Sequence, residues 1–398
     1  MLSPEARPYI DASVPVLREH GVTITRTFYK NMFTAHPELT NLFNMGNQAN
    51  GSQQQSLASA VFAYAAHYAD SSALAPVVSR IVHKHVSVGI RADHYPIVGK
   101  HLLEAIASTL GDAATPPLMD AWREAYWLLA DALIAEEKKL YGERHTSAGE
   151  LTAMRVIEVE PQSKLVTSYK LQPRNGTALP SFEPGQYLSV AVDLPNGLRQ
   201  LRQYSLADSP SKDYLKISVK REPASDTTPA GQVSNWLHDN VEVGSTLLIT
   251  PPCGDFTPNV NGKNPIAMLS AGIGVTPMIS TLIRISEVNP QREVIFAHAA
   301  RDISHHAHRA DKIAALTKMP NLKMVTFYED CEGADDEVYS GFMNLKDLPR
   351  WDYATTDVYL CGPIQFMRIQ WQALLEAGAP PSRLHREIFG PELLDHLL

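Results

Sequence analysis

His85 stands where a core residue should. Taken as a helix, residues 76–89 carry the apolar stripe Val78, Ile81, Val82, His85 and Val88, with His83 about 160° away, towards solvent. A neutral imidazole on such a face, with one nitrogen free, is a candidate ligand for haem iron. An ordinary packed histidine is the plain alternative. In a later helix the stripe Trp122, Tyr126, Leu129, Leu133 and Leu140 includes Glu137. Burying an ionised carboxylate without a donor costs several kcal/mol. Tyr95, aligned with Val98, Leu102 and Ile106, offers a hydroxyl and His85 an Nδ1–H, so a His–Glu–Tyr cluster is the economical arrangement. The alternative leaves Glu137 exposed at a frayed helix end. Tyr29, on the shoulder of the stripe Leu17, Ile24, Phe28 and Met32, and Phe43, beyond Pro37, read on pattern alone as packing aromatics.

A second constellation lies further along the chain. Arg202-Gln203-Tyr204-Ser205 ends a β run and supplies a cation for a phosphate, an aromatic face for a ring and a hydroxyl for its nitrogens. A surface arginine beside a core tyrosine is the plain reading of so short a match. Gly185-Gln186-Tyr187 lies upstream, and Gly231-Gln232-Val233-Ser234-Asn235-Trp236-Leu237 opens a short helix whose free N–H groups suit a pyrophosphate. The buried-strand run Ile266–Ser270 leads into Ala271-Gly272-Ile273-Gly274-Val275-Thr276-Pro277 and a helix, where glycines let the backbone approach a pyrophosphate. The pattern is Gly-x-Gly-x-Thr-Pro, without the third glycine of the usual dinucleotide fingerprint. Cys361-Gly362-Pro363 closes a later β run; by itself Cys361 reads equally as a small buried hydrophobe.

Three kinds of element must position these residues. Apolar spacing of three and four predicts helices over 13–33, 56–69, 76–88, 95–109 and 117–141, punctuated by Pro37, Asn50-Gly51, Pro76, Pro96 and Pro116-Pro117. Residues 142–150 read as a linker. Short β runs follow at 153–159, 165–171, 186–192, 202–206, 214–219 and 246–250, interrupted by a helix at 232–239, which predicts a small antiparallel barrel or sandwich. From Pro265 β runs alternate with helices: 266–270, 277–288, 294–298, 308–316, 322–327, 358–361 and 364–377, the signature of a parallel sheet with crossover helices.

Composition sets the limits. The 398 residues suit several domains, and 44% hydrophobic content is enough for real cores. The net charge of −8 is evenly spread, with 12 basic and 15 acidic side chains in residues 1–150 against 23 and 28 beyond, so no nucleic-acid or anionic-lipid face is implied. No apolar run reaches a membrane span, and Met1-Leu2-Ser3-Pro4-Glu5 lacks the layout of a signal peptide. With three scattered cysteines, Cys253, Cys331 and Cys361, a reducing, cytoplasmic setting is expected.

Phe28-Tyr29-Lys30, His36-Pro37-Glu38-Leu39 with Leu42-Phe43-Asn44, Gln53 after Asn50-Gly51, and Lys84-His85 together resemble the globin domain of bacterial and yeast flavohaemoglobins. That resemblance implies that His85 binds the haem iron, with Glu137 and Tyr95 hydrogen-bonded around it. Phe43 packs on the porphyrin, Tyr29 points its hydroxyl at bound oxygen with Gln53 and Leu57 nearby, and Lys84 influences the haem–flavin electrostatics. Gln53 is favoured within the run Gln53-Gln54-Gln55. The later motifs resemble a ferredoxin-reductase-like module. Tyr187, Arg202, Gln203, Tyr204 and Ser205 are then implied to contact FAD, and Gln232, Val233 and Ser234 its pyrophosphate. Pro252-Cys253-Gly254-Asp255-Phe256 keeps the spacing of the family's Pro-x-Gly-x-Phe, and no redox role is read into Cys253. The loops Gly272–Pro277 and Cys361–Pro363 would face the nicotinamide, and Phe389, in Glu387-Ile388-Phe389-Gly390-Pro391, would cover the flavin until nicotinamide displaces it. His298-Ala299-Ala300-Arg301-Asp302 should meet the adenosine ribose. Arg301 suits a 2′-phosphate and Asp302 a free hydroxyl, so the choice between NADH and NADPH stays open, with family habit leaning to NADH.

The expected architecture is an all-α globin domain (1–141), the linker 142–150, an antiparallel β-barrel FAD domain (151–260) and an α/β parallel-sheet NAD(P) domain (261–398). The resemblance implies a nitric oxide dioxygenase that turns NO and O2 into nitrate, with haem b, FAD and NAD(P)H as cofactors. A monomer without nucleic-acid or integral-membrane partners is expected, with a lipid or other hydrophobic molecule as a further ligand of the haem pocket. A haem-dependent lipid-hydroperoxide reductase and an oxygen- or redox-sensing globin are the rival readings.

Overall fold

A computed structural model describes residues 1–174, 176–226, 228–333 and 338–391. The chain forms two compact units, one built on Met1–Leu151 and the other on Thr152–Val190 with Gln203–Phe389.

The first unit is helical: α1 (Arg7–Ala35), α2 (Met45–Ala49), α3 (Ser52–His67), α4 (Ser71–Val88), α5 (His94–Leu110) and α6 (Pro116–Glu143). Its core gathers the inward stripes of α1, α5 and α6, including Leu17, Ile24, Phe28, Met32, Leu102, Ile106 and Trp122. Two ends matter for the site. Asp70 caps α4 by accepting from the N–H groups of Ser72 and Ala73, so the helix starts before Pro76, which sits inside it rather than at its start. At the other end Gly89 adopts φ 79°, and the Ile90 N–H closes onto the His85 carbonyl. A Cβ at Gly89 would lie 2.9 Å from the Gly149 backbone, so the stop that leaves His85 in the last turn requires glycine. His83 is half-buried rather than turned to solvent. Glu137 is not at a frayed end: α6 continues to Glu143, and the carboxylate is 3% exposed.

In the second region six strands, β1 (Thr152–Pro161), β2 (Val166–Pro173), β3 (Tyr187–Asp193), β4 (Arg199–Ser205), β5 (Leu215–Lys220) and β6 (Thr246–Ile249), form an antiparallel sheet ordered β4-β3-β6-β1-β2-β5. The outer strands meet through an antiparallel bridge between Leu206 and Ile217, which closes the sheet into the expected barrel. Helix α7 (Gln232–Asn240) lies between β5 and β6 in the chain.

The remainder is a six-stranded parallel sheet ordered β10-β9-β8-β7-β11-β12, from β7 (Ile266–Ala271), β8 (Val294–Ala300), β9 (Leu322–Tyr328), β10 (Val338–Ser340), β11 (Asp357–Cys361) and β12 (Leu384–Glu387), with helices α8 (Val275–Val288), α9 (Arg309–Leu316) and α10 (Ile364–Glu376). Alternate residues of one strand enter different cores: Met268 and Phe296 pack with Met278, Ile279 and Leu282 of α8, while Ala267, Leu269 and Ala297 pack with Met367 and Leu374 of α10. Burial on both faces explains the continuous apolar runs that marked these strands. The edge strands β10 and β12 escaped the sequence reading because they are short and half-polar, Val338-Tyr339-Ser340 and Leu384-His385-Arg386-Glu387. Among the described residues no helix is long and apolar enough to cross a membrane.

Candidate functional site

In the helical unit, α4, α5 and α6 bring His85, Tyr95 and Glu137 together. Nδ1 of His85 lies 2.6 Å from Oε1 of Glu137, and the Tyr95 hydroxyl donates to the same oxygen at 2.5 Å. Burial and the Glu137 carboxylate raise the Tyr95 hydroxyl far above its usual range, so it remains a donor. With Nδ1–H committed to Glu137, Nε2 keeps a free lone pair, and the ring is about one-third exposed. Ile81 and Val88, on the same side of α4, are half-buried, as are Phe43, Leu57 and Val98. An imidazole with a free nitrogen among incompletely covered apolar side chains suits a flat apolar ring system carrying a metal.

Tyr29 is 4% exposed on α1, with ring centroids 5.7 Å from both Phe33 and Phe43. Burial pushes its hydroxyl up out of the titrating range, although Gln53 and Gln48 lie beside it. Of the three glutamines, Gln53 is thus at Tyr29, Gln54 is buried with its amide 2.8 Å from Oε1 of Gln48, and Gln55 is exposed. Gln48 was missed, since α2 is too short to show a period; the Asn44 cap, accepting from Gly46 and Asn47 N–H groups, was the available signal. By spacing alone Tyr126 belongs to the packing stripe of α6. Its hydroxyl donates to the Tyr95 carbonyl at 2.5 Å, and a Cβ at Gly99 would sit 2.4 Å from its ring. Lys84 is half-buried, one residue before His85.

In the barrel, Tyr187 pairs with Cys253 through both backbone groups, and its ring lies over Gly254. Arg202, Gln203 and Tyr204 are half-buried at the end of β4. Next to them the Ser205 hydroxyl is buried with no hydrogen-bond partner among the described residues. An orphaned buried hydroxyl is costly unless a bound group satisfies it, which fits a flavin nitrogen. At the start of α7, Gln232 is exposed while Val233 and Ser234 are buried, and among the described residues no side chain caps the helix at its N-cap, Gly231. The N–H groups of that turn are left for a ligand.

The parallel sheet changes winding direction between β7 and β11, the place where ligands bind in open α/β sheets. Both glycine-bearing loops leave the sheet there, since Ser270 pairs with Cys361. Gly272 takes φ 54°, and a Cβ at Gly274 would lie 2.4 Å from the Cys361 carbonyl oxygen. Ile273 accepts from the Thr276 hydroxyl, while Val275, Thr276 and Pro277 begin α8 as buried residues. Gly362 and Pro363 follow Cys361 directly, and burial raises the Cys361 thiol, which stays protonated. Phe389, 44% exposed, lies two residues past β12, at the same end of the sheet.

Residues 26–133 match the model of the globin family, and residues 268–372 that of the oxidoreductase NAD-binding domain. The flavohemoprotein of Bordetella parapertussis is 46% identical over 98% of this chain and 99% of its own, and that of Rhizobium meliloti 44% identical over 99% of each. The flavohemoglobin of Malassezia yamatoensis, solved with bound FAD and heme, superposes with a TM-score of 0.87 at 31% identity, covering 98% of this chain and 100% of that one. The FAD/NAD-binding domain of nitric oxide dioxygenase from Vibrio cholerae covers 60% of this chain and 99% of its own, at 33% identity and a TM-score of 0.56. A globin fold followed by a ferredoxin-reductase-like pair of lobes defines a haem–flavin oxidoreductase class. The chain belongs to the flavohemoprotein family.

Proposed function

We propose that this protein is an NAD(P)H-dependent nitric oxide dioxygenase, converting NO and O2 to nitrate and so protecting the cell from nitrosative stress. The domain limits that serve it are 1–141, 151–260 and 261–398. The observation that carries the reading is the buried Glu137 carboxylate on Nδ1 of His85. Haem b and FAD, when bound, supply the redox chemistry, and NAD(P)H the hydride.

The chain's own residues bind, orient and tune. His85 offers Nε2 to the iron, and Glu137, taking the Nδ1 proton's hydrogen bond, makes the imidazole a stronger donor. Tyr95 holds Glu137 in place. Tyr29 presents a hydroxyl to dioxygen, with Gln53 beside it, while Phe43 and Leu57 line the pocket and Lys84 adds positive charge next to the ligand. In the barrel, Ser205 satisfies its hydroxyl on a flavin nitrogen, Tyr187 and Tyr204 offer ring faces, and Arg202 and the first turn of α7 take the phosphates. Gly272–Pro277 and Cys361–Pro363 would face the nicotinamide, and Phe389 would cover the flavin in the absence of the dinucleotide.

Purified protein given NADH, oxygen and nitric oxide should consume all three and release nitrate. Nitrate formation no faster than with free haem overturns the reading. A strongly donating proximal histidine also favours O–O cleavage. Faster turnover on lipid hydroperoxides than on nitric oxide would therefore move the assignment to a hydroperoxide reductase.

A further inference from the structure

The loop after β8 ends on an unusual residue. His308 has φ 61°, one of two non-glycine residues with positive φ among the described residues, and it caps α9. It is fully buried, and each polar group it carries is engaged. Its N–H donates to Oε1 of Gln162 at 3.3 Å, Nδ1 lies 2.7 Å from Oδ2 of Asp311, and Nε2 lies 2.9 Å from Oγ of Ser218. Gln162 directly follows β1 and Ser218 belongs to β5, so one histidine of the α/β lobe is bonded to two places in the barrel, to Gln162 through its backbone N–H and to Ser218 through its imidazole.

The direction of these bonds follows from charge. Burial works against an ionised Asp311, yet His308 and Lys216 hold its carboxyl below the usual range. Asp311 therefore accepts and Nδ1 carries the proton; burial holds His308 below its usual range, so the imidazole is neutral and Nε2 accepts from the Ser218 hydroxyl, which in turn accepts from Ser168 at 2.7 Å. A Ser–His–Asp order of this kind activates a nucleophile when the serine is accessible. Here Ser218 is 3% exposed and its oxygen already sits between Ser168 and His308, so the arrangement fastens rather than reacts. The other end of the loop is equally stiff. Asp302 accepts from the Ser304 hydroxyl at 2.6 Å and contacts Nδ1 of His305 at 2.8 Å, and the Lys164 N–H donates to the Ser304 carbonyl at 2.8 Å.

We propose that His308 is a positioning residue: through Ser218 and Gln162 it registers the Arg301–Asp302 loop against the barrel, and so sets the site for the adenosine half of the dinucleotide. This rests on the reading above, in which the barrel holds FAD and the end of β8 meets the adenosine ribose. The nicotinamide loops stand at β7 and β11 and do not depend on this link.

The test compares two hydride donors on the full-length holoprotein: NADH, and reduced nicotinamide mononucleotide, which lacks the adenosine half. Ser218→Ala removes the imidazole's bond to β5 and leaves His308 on Asp311 and Gln162. Losing one buried hydrogen bond should raise the half-saturating NADH concentration for flavin reduction about five- to tenfold. The value for the mononucleotide, the FAD content and the limiting rate should stay as in the wild type. Ser218→Thr, which keeps the hydroxyl, should restore NADH affinity. His308→Asn, which tolerates positive φ but cannot span Ser218 and Asp311 together, should repeat the Ser218→Ala result and serves if that variant does not fold. Equal shifts for both donors, or no shift in either variant, overturn the proposal. A wild-type flavin that neither donor reduces overturns the functional reading, and the proposal with it.

Discussion

His85 and Glu137 are 52 residues apart in the chain, yet Nδ1 and Oε1 lie 2.6 Å apart, with the Tyr95 hydroxyl on the same oxygen. A carboxylate 3% exposed, with two donors converging on one oxygen, is a charge whose burial is compensated by geometry rather than by a formal cation.

Glu137→Gln keeps the shape and an acceptor but removes the charge. The iron–histidine stretching frequency of the ferrous protein should fall, at a stability cost on the order of 1 kcal/mol. An unchanged frequency in resonance Raman spectra would remove Glu137 from the tuning of iron.

Tyr29→Phe deletes a buried donor without changing the packing against Phe33 and Phe43. Dioxygen release should quicken about five- to tenfold, the equivalent of one lost hydrogen bond. Flash photolysis or stopped-flow mixing measures it, and an unaltered release rate would leave Tyr29 as a packing aromatic.

Gly274→Ala places a Cβ 2.4 Å from the Cys361 carbonyl oxygen, a backbone atom that cannot swing aside. The lobe should lose about 1–3 kcal/mol of stability, and NADH should reduce the flavin more slowly while dithionite reduces it as before. Wild-type kinetics with NADH would show that the two loops need not touch.

Lys312 is 4% exposed, and burial with Arg309 nearby pushes its ammonium down to about 7. Between pH 7 and the unfolded value of 10.5 the unfolded chain binds the extra proton, so this group makes stability rise with pH across that window. Below pH 7 it leaves a fixed penalty. Lys312→Met should therefore raise the melting temperature of this lobe at pH 7, by an amount that shrinks as the pH approaches 10. A gain that is constant from pH 7 to 10 contradicts the assignment.

The legible part of this molecule was the part encoded locally. Stripes of period 3.6 located the five long helices and continuous apolar runs marked the strands buried on both faces; the glycines at 272 and 274 marked a loop for a pyrophosphate, and that Gly274 also lies against the Cys361 carbonyl came only with the fold. Short elements carried too few residues to show a period, which is why α2, with Gln48, and the edge strands β10 and β12 were not seen. Pro76 misled because proline is expected at the first turn of a helix, whereas here it lies inside α4, whose start is set by the Asp70 cap.

By itself the sequence determined which residues could do chemistry and on which kind of element each would stand, since burial face follows from spacing along one segment. The grouping of Glu137 with His85 and Tyr95 followed from the need to pair a buried carboxylate, but its geometry, and the other partners, were decided by the tertiary structure. Glu137 meets His85 only because α4 and α6 pack together, Tyr126 reaches the Tyr95 carbonyl only because Gly99 leaves room, and His308 finds Ser218 across two lobes of the reductase unit. A hydrogen bond depends on positions to within a fraction of an ångström, and no periodicity along a chain specifies the distance between segments that meet only on folding.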